Sequence, residues 1–337
     1  VDTNKNTITT TIGDFTYDYL VLAIGCTTNF FGNDDIRKNA YTLKTTYDAI
    51  TIRNHILQIF ENVISANKEA RASLLNLVIV GAGPTGVELA GAFAEIKKHI
   101  LPKDYPGIDF SKFHIILIEG SKNTLNNMSE NAQLASQKYL EEMGVHILTE
   151  TFVKSYNNDV VALNDGSLFK AKTVIWAAGV TGNSILGLPD NWYTSGNRFK
   201  VDRINKIVGS ENIFAIGDIA FMETPKYLKG HPQLANVAIN QAKKLADNLK
   251  NLCKSKQTIY FEYKDLGSMA TIGKNKAVVD LPFIKFKGYL AWITWMMLHL
   301  MLILSVKNKL IIFINWAWAY VTKDTSLRLI LTQNKKK

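Results

Sequence analysis

Residues 76–93 read NLVIVGAGPTGVELAGAF, and the fold turns on this stretch. Leu77–Val80 is a short apolar run of the kind that forms a buried parallel strand, and glycines follow at 81, 83 and 86. At such a strand-to-helix turn the first glycine permits the tight bend and the second lets a pyrophosphate approach the backbone. The third lets helix and strand pack closely. The helix expected from Val87 to about Ile100 adds free N–H groups and the positive end of its dipole. A glycine pattern alone is weak evidence. Here it follows a strand, opens a helix and is succeeded by a second strand, His114–Ile118, that ends on Glu119. Gly81, Gly83 and Gly86 therefore read as a dinucleotide-binding turn. Glu119 would hydrogen-bond the adenosine ribose and repel a 2′-phosphate, which predicts NADH over NADPH. It lies 33 residues after Gly86, and the proline-containing loop 101–112 accounts for the extra length. The plainer alternative for Glu119 is a solvated acid at a strand end.

Outward from this unit, strands and helices alternate. Strands are expected at 17–25, 145–148, 173–178 and 213–216, with helices within 39–72, at 130–143 and at about 234–252. A hairpin over 160–171 turns at Asp165-Gly166, and glycine-interrupted strands follow over 258–281. The alternation predicts a parallel, doubly wound sheet. Three strands end in small residues and glycine: Ala23-Ile24-Gly25, Ala177-Ala178-Gly179 and Ala215-Ile216-Gly217-Asp218. Ligands in open sheets bind at the carboxyl ends of strands, and small residues there leave room for a flat ring or a phosphate chain. At 337 residues, 47% hydrophobic and 20% charged, the chain suits about two domains and excludes disordered, collagen-like and coiled-coil classes. Its two cysteines, Cys26 and Cys253, stand far apart, which argues against a disulfide framework, a cysteine zinc site or a redox dithiol, and no metal is expected. A net charge of +10 points to an anionic partner: a nucleotide, nucleic acid or an anionic membrane surface.

These stretches, with HPQLANVAINQ (231–241), GSMATIGKNKAVVDL (267–281) and the aromatic tail beginning FKGYLAWITWMMLHLML (286–302), resemble the type II, non-proton-pumping NADH:quinone oxidoreductases. The likeness runs along essentially the whole chain. It implies an α/β fold with two Rossmann-like dinucleotide-binding domains, the NADH domain inserted in the FAD domain, plus C-terminal amphipathic membrane-binding helices. The implied boundaries are 1–38 for the end of the first FAD-domain segment, 39–75 for a connecting helix, and 76–187 for the NADH-binding domain. The FAD domain returns over 188–255, and 256–337 is the membrane-association region. Residue by residue, Ala23, Ile24 and Gly25 would approach FAD, with Gly217 and Asp218 on its ribitol or pyrophosphate side. Ala178, Gly179 and Val180 would flank the nicotinamide. Glu88 would sit beside the nicotinamide and isoalloxazine rings as the catalytic acid, against the alternative of a favourable first-turn acid on the helix dipole. Where the family shows a glutamine pair at the quinone site, this chain has Asn236 and Asn240, with Gln241 adjacent. The family opens with an FAD-binding GxGxxG unit that does not occur before residue 17 here, so the chain reads as truncated at its N-terminus.

The tail carries two apolar runs, Tyr289–Val306 and Leu310–Val321, of 18 and 12 residues, the first interrupted by Thr294, His299 and Ser305. A span needs about 20 apolar residues. Trp292, Trp295, Trp316 and Trp318 suit the headgroup interface, and residues 307–337 hold seven basic side chains against one acid. Two helices lying on an anionic membrane are expected; one transmembrane span, a buried core or a homodimer interface are the alternatives. The implied activity is hydride transfer from NADH to FAD and two-electron reduction of a membrane quinone in a respiratory chain. It would take place peripherally at the cytoplasmic face of a bacterial inner membrane, with no nucleic-acid partner. The rivals are a soluble flavin reductase for a ferredoxin-like acceptor and a membrane-attached NADH-binding relic.

Overall fold

The computed structural model describes residues 1–303 and 305–322. Of the basic tail residues, Lys323, Arg328, Lys335, Lys336 and Lys337 lie outside the described residues. The chain divides into two compact units. One comprises Val1–Asn29 and Val180–Asp265, the other Phe30–Gly179 and the described residues from 266 to 322.

In the second unit five parallel strands stand in the order Tyr41–Thr42, Thr173–Trp176, Asn76–Val80, His114–Ile118, Val145–Leu148. Successive side chains along a strand point to opposite faces. Leu77, Ile79, Ile115 and Leu117 therefore meet the helices Thr46–Ser65, Pro84–His99 and Glu130–Glu142 through Ile56, Phe60, Val87, Ala90 and Leu140. Val78, Val80, Val174 and Trp176 face the other way, onto Tyr156, Val161 and Leu163. Those three residues belong to an antiparallel sheet of Val153–Asn157, Val160–Leu163 and Leu168–Lys170. A doubly wound sheet would carry helices on both faces; here the antiparallel sheet covers much of one. The reason is local. Asn158 and Asp159 (φ 48° and 60°) and Gly166 (φ 87°) turn the chain twice within ten residues, leaving no room for a helix.

The expected surface helix within 39–72 is two helices, Thr46–Ser65 and Lys68–Leu74. Thr45 and Asp48 form a reciprocal capping box at the first, and Asn67 caps the second. The first is no surface helix, since it buries Ile52, Ile56, Ile59, Phe60 and Val63. Helix Pro84–His99 is held on both sides. Facing away from the parallel sheet, Gly91 lets it rest on the backbone of strand Ser268–Gly273, where an added Cβ would collide with the Ile272 carbonyl oxygen. That strand pairs with Lys276–Asp280, which pairs with Lys285–Lys287, and the tail helices Tyr289–Leu302 and Val306–Thr322 follow. Ala291 seats the first tail helix on Ala277 and Val279. Lys274 donates to the Tyr320 carbonyl of the second at 2.8 Å, its ammonium 3.9 Å from the Tyr320 ring centroid. Among the described residues, no helix is long and apolar enough to cross a membrane.

The first unit is built on Leu20–Leu22 paired in parallel with Ile213–Ala215. Val180–Gly182 pairs with Cys26–Thr28, and Phe199–Val201 with Ala220–Met222. Leu22, Phe199, Ile213, Ile219 and Phe261 make its core, and helix Ala235–Leu252 adds Val237.

Gly91→Ala forces a methyl group onto the Ile272 carbonyl, so it should cost about 1–3 kcal/mol of stability. The expected result is a lowered thermal midpoint. Gly107→Ala, whose Cβ would meet open space, should leave the midpoint unchanged.

Candidate functional site

A cavity of about 600 Å³ opens at the carboxyl end of the parallel sheet, lined by Gly81, Gly83, Glu119, Ala178 and Gly179 among others. Gly81 has φ +101°, and a Cβ there would lie 2.8 Å from the Ala177 carbonyl and from the Ala178 Cα. Its N–H donates to Ile118 O at 2.7 Å, which fixes the turn against the neighbouring strand. Gly86 packs directly on the Gly81 carbonyl. Gly83 is the helix N-cap, makes no side-chain cap, and its Cβ direction meets open space. The first turn of the helix thus presents its N–H groups to the cavity without a capping side chain, the arrangement that holds phosphate. Glu119 follows strand His114–Ile118 and does more than end it. One oxygen accepts from the Ala82 N–H at 2.6 Å, the other from the Ser121 N–H and hydroxyl at 2.8 Å each.

Among the residues lining this cavity are four aromatics, Phe30, Phe31, Phe152 and Trp176, that the sequence did not single out. Phe30 stacks on Trp176 with centroids 6.2 Å apart, and the Phe31 ring reaches 3.3 Å from the Cβ direction of Gly179. Phe30 and Phe31 lie at the end of the stretch 17–32 (YDYLVLAIGCTTNFFG) but carry no chemical signal of their own there; the fold brings them to the cavity. Trp176, the last residue of a buried strand, carried the one available signal. Val180 parts from Ala178 and Gly179: it opens a strand of the other unit, opposite Thr28.

Glu88 is not in the first turn of its helix, which begins at Pro84. It lies one turn further on, where its carboxylate accepts from the Thr271 N–H at 3.3 Å. Burial raises its pKa above the usual carboxylate range, although the Thr271 N–H, His299 and Trp295 pull the other way. The acid of the dinucleotide helix therefore faces the first tail helix.

In the first unit, Ala23-Ile24-Gly25 and Gly217-Asp218 follow the two paired parallel strands and so lie side by side. Gly25 has φ +66° and its Cβ direction is open. Asp218 accepts from the Cys26 thiol at 3.1 Å. Arg198, unmarked by any motif, donates to the carbonyls of Asp218 (3.0 Å), Ala220 (2.6 Å) and His231 (3.1 Å), stapling this turn to the approach of helix Ala235–Leu252. Asn236 and Asn240 sit four residues apart on that helix, both exposed. Gln241 points the other way: fully buried, it accepts from the Gly217 N–H at 2.7 Å, and its side-chain nitrogen has no partner among the described residues.

The chain was compared with known proteins. The pyridine nucleotide-disulphide oxidoreductase family model matches residues 1–242, and the NDH2 C-terminal domain matches 266–323. The type II NADH:quinone oxidoreductase Ndh of Mycobacterium tuberculosis is 31% identical over 322 residues, which cover 91% of this chain and 67% of that protein. The same organism's NdhA is 30% identical, covering 99% and 73%. The structure of NDH2 from Plasmodium falciparum in complex with NADH superposes with a TM-score of 0.87 at 22% identity, over 98% of this chain and 84% of that one. A soluble flavin reductase would leave residues 266–323 unmatched. The chain belongs to the pyridine nucleotide-disulphide oxidoreductases and, within them, to the type II NADH:quinone oxidoreductases.

Proposed function

We infer that the chain oxidises NADH and reduces a membrane quinone by way of FAD, without pumping protons. The observation that carries this reading is that one compact unit holds both the dinucleotide cavity and the two apolar tail helices. The first tail helix buries Ala291 alone, and the second buries nothing. Leu290, Met301, Leu302, Val306, Ile314 and Trp318 are each more than 60% exposed, a patch suited to lipid. A protein held at the membrane surface by these helices meets a lipid-soluble quinone on one side and aqueous NADH on the other. The face is the one open to the NADH pool, the cytoplasmic face of an inner membrane.

The residues of the first unit fit a flavin. The buried Gln241 side-chain nitrogen is a donor without a partner among the described residues, Gly25 faces open space, and the Asp218 carboxylate stands at the paired strand ends. Ala23, Ile24, Gly25, Gly217 and Asp218 would hold FAD, which when bound supplies two-electron redox chemistry that side chains lack. Arg198 and Gln241 serve it indirectly, by fixing the turn that carries Asp218. Gly81, Gly83 and Gly86 shape the site for the NADH pyrophosphate, Glu119 takes the ribose, and Ala178 and Gly179 flank the nicotinamide. Glu88, half-buried and holding its proton to higher pH than an ordinary carboxyl, is suited to supply the proton that quinone reduction consumes beyond the hydride. Asn236 and Asn240 offer amides to the quinone from the exposed face of their helix.

Glu119→Gln keeps an acceptor for Ala82 but removes the charge that repels a 2′-phosphate. The ratio of NADH to NADPH kcat/KM should narrow about fivefold to tenfold; equal use of both by the parent protein would sink the assignment. Asn236→Leu should raise the quinone KM roughly tenfold by losing a polar contact, with NADH oxidation by a water-soluble acceptor unchanged. Unchanged quinone kinetics would return Asn236 to a solvated helix face. Removing residues 289–337 should move the protein from the membrane pellet to the supernatant and abolish quinone reduction, again sparing the soluble acceptor. High salt alone should release little of the intact protein, because salt screens charge but not apolar burial.

A further inference from the structure

Between strands Lys276–Asp280 and Lys285–Lys287 the chain turns over Leu281-Pro282-Phe283-Ile284, closed by the Leu281 N–H donating to the Ile284 carbonyl at 2.9 Å. Phe283 is 100% exposed and Ile284 57%. Among the described residues none covers Phe283, yet the turn that carries it is firmly built. At its base, Asp280 accepts from the Ser129 N–H at 2.6 Å and from the Ser129 hydroxyl at 2.8 Å. Leu281 and Phe286 pack with Ala277, Val279, Ala291 and Trp292 in one small core. Along the last strand the side chains alternate: Phe286 turns into that core, while Lys285 and Lys287 are exposed. Past Gly288 the first tail helix begins, with Tyr289 and Leu290 exposed. The tip, the two lysines and the start of the tail helix therefore form one continuous body.

We propose that the Pro282–Ile284 tip is a separate lipid-contacting element, in which Phe283 and Ile284 enter the interfacial layer while Lys285 and Lys287 meet anionic headgroups. This rests on the membrane reading of the tail helices. A stiff aromatic-aliphatic apex with basic residues beside it has the composition of a membrane interface. It is also continuous in sequence and packing with the helices already assigned there. A second copy of the chain is a poor occupant, because a stable protein interface buries about 800 Å² per partner and this apex offers two side chains. Through Asp280 and Ser129, the contact would tie the bilayer to the unit that carries the dinucleotide cavity.

The test uses the full chain carrying Cys253→Ser and Phe283→Cys, labelled at 283 with an environment-sensitive fluorophore; the remaining Cys26 is buried. On vesicles of phosphatidylcholine and phosphatidylserine the label should shift to the blue and be quenched by a bilayer-embedded quencher. Phe283→Ser in otherwise native chain should lower the vesicle partition coefficient about tenfold. Lys285→Gln with Lys287→Gln should lower it on phosphatidylserine vesicles and leave it unchanged on pure phosphatidylcholine. A label that stays in water on vesicles that pellet the protein overturns the tip contact and leaves the tail helices' role intact. Protein that does not pellet overturns both. A Phe283→Ser variant that sediments as a smaller particle in lipid-free solution assigns the tip to a second copy instead, and overturns the proposal.

Discussion

The second unit depends on how closely backbone approaches backbone around helix Pro84–His99. On the sheet side Gly86 rests on the Gly81 carbonyl, and on the far side Gly91 rests on the Ile272 carbonyl. Neither contact admits even a methyl group. The first sets where the helix begins, and so where its N–H groups open on the cavity. The second sets where strand Ser268–Gly273 lies, and with it the hairpin and the helices that follow. A single helix, without side chains at two points, thus fixes both the nucleotide site and the seat of the apolar tail.

Much of this was legible because it is local. A buried parallel strand reads as an unbroken apolar run, and residues 77–80, 115–118 and 174–176 do. The glycines at 81 and 86 occupy positions with no room for a side chain and Gly83 faces open space, and their spacing between an apolar strand and a helix marked them. What stayed hidden was set at long range. Phe30 and Phe31 wall the cavity only because Thr173–Trp176 stands near the edge of the sheet beside the chain that carries them. Arg198 spends its donors on three carbonyls, which no side-chain pattern can announce. The antiparallel cover of the sheet was half visible, in the Asp165-Gly166 turn, but which face it covers depends on Val78 and Val80 pointing away from the helices.

Helix Ala235–Leu252 shows how periodicity divides adjacent polar residues. Val237, Gln241, Leu245 and Asn248 form its buried stripe, and Asn236 and Asn240 lie outside it. One residue of separation is a rotation of about 100°, enough to move an amide from solvent into the core. Gln241 and Asn240 are neighbours in sequence and have different surroundings: one holds a backbone turn, the other is free to meet what approaches from outside.

Glu119 has a consequence for how such a protein can change over evolutionary time. Its carboxylate is bonded to the Ala82 N–H inside the glycine turn and to Ser121 beyond the strand. A lineage drifting toward a different coenzyme could not simply trade this acid for a small or basic residue, because the loop would lose its acceptor at the same stroke. A second substitution would have to restore that bond first. With Glu119 in the ribose role proposed above, coenzyme preference is inherited together with loop integrity, and the two are lost or kept as a pair.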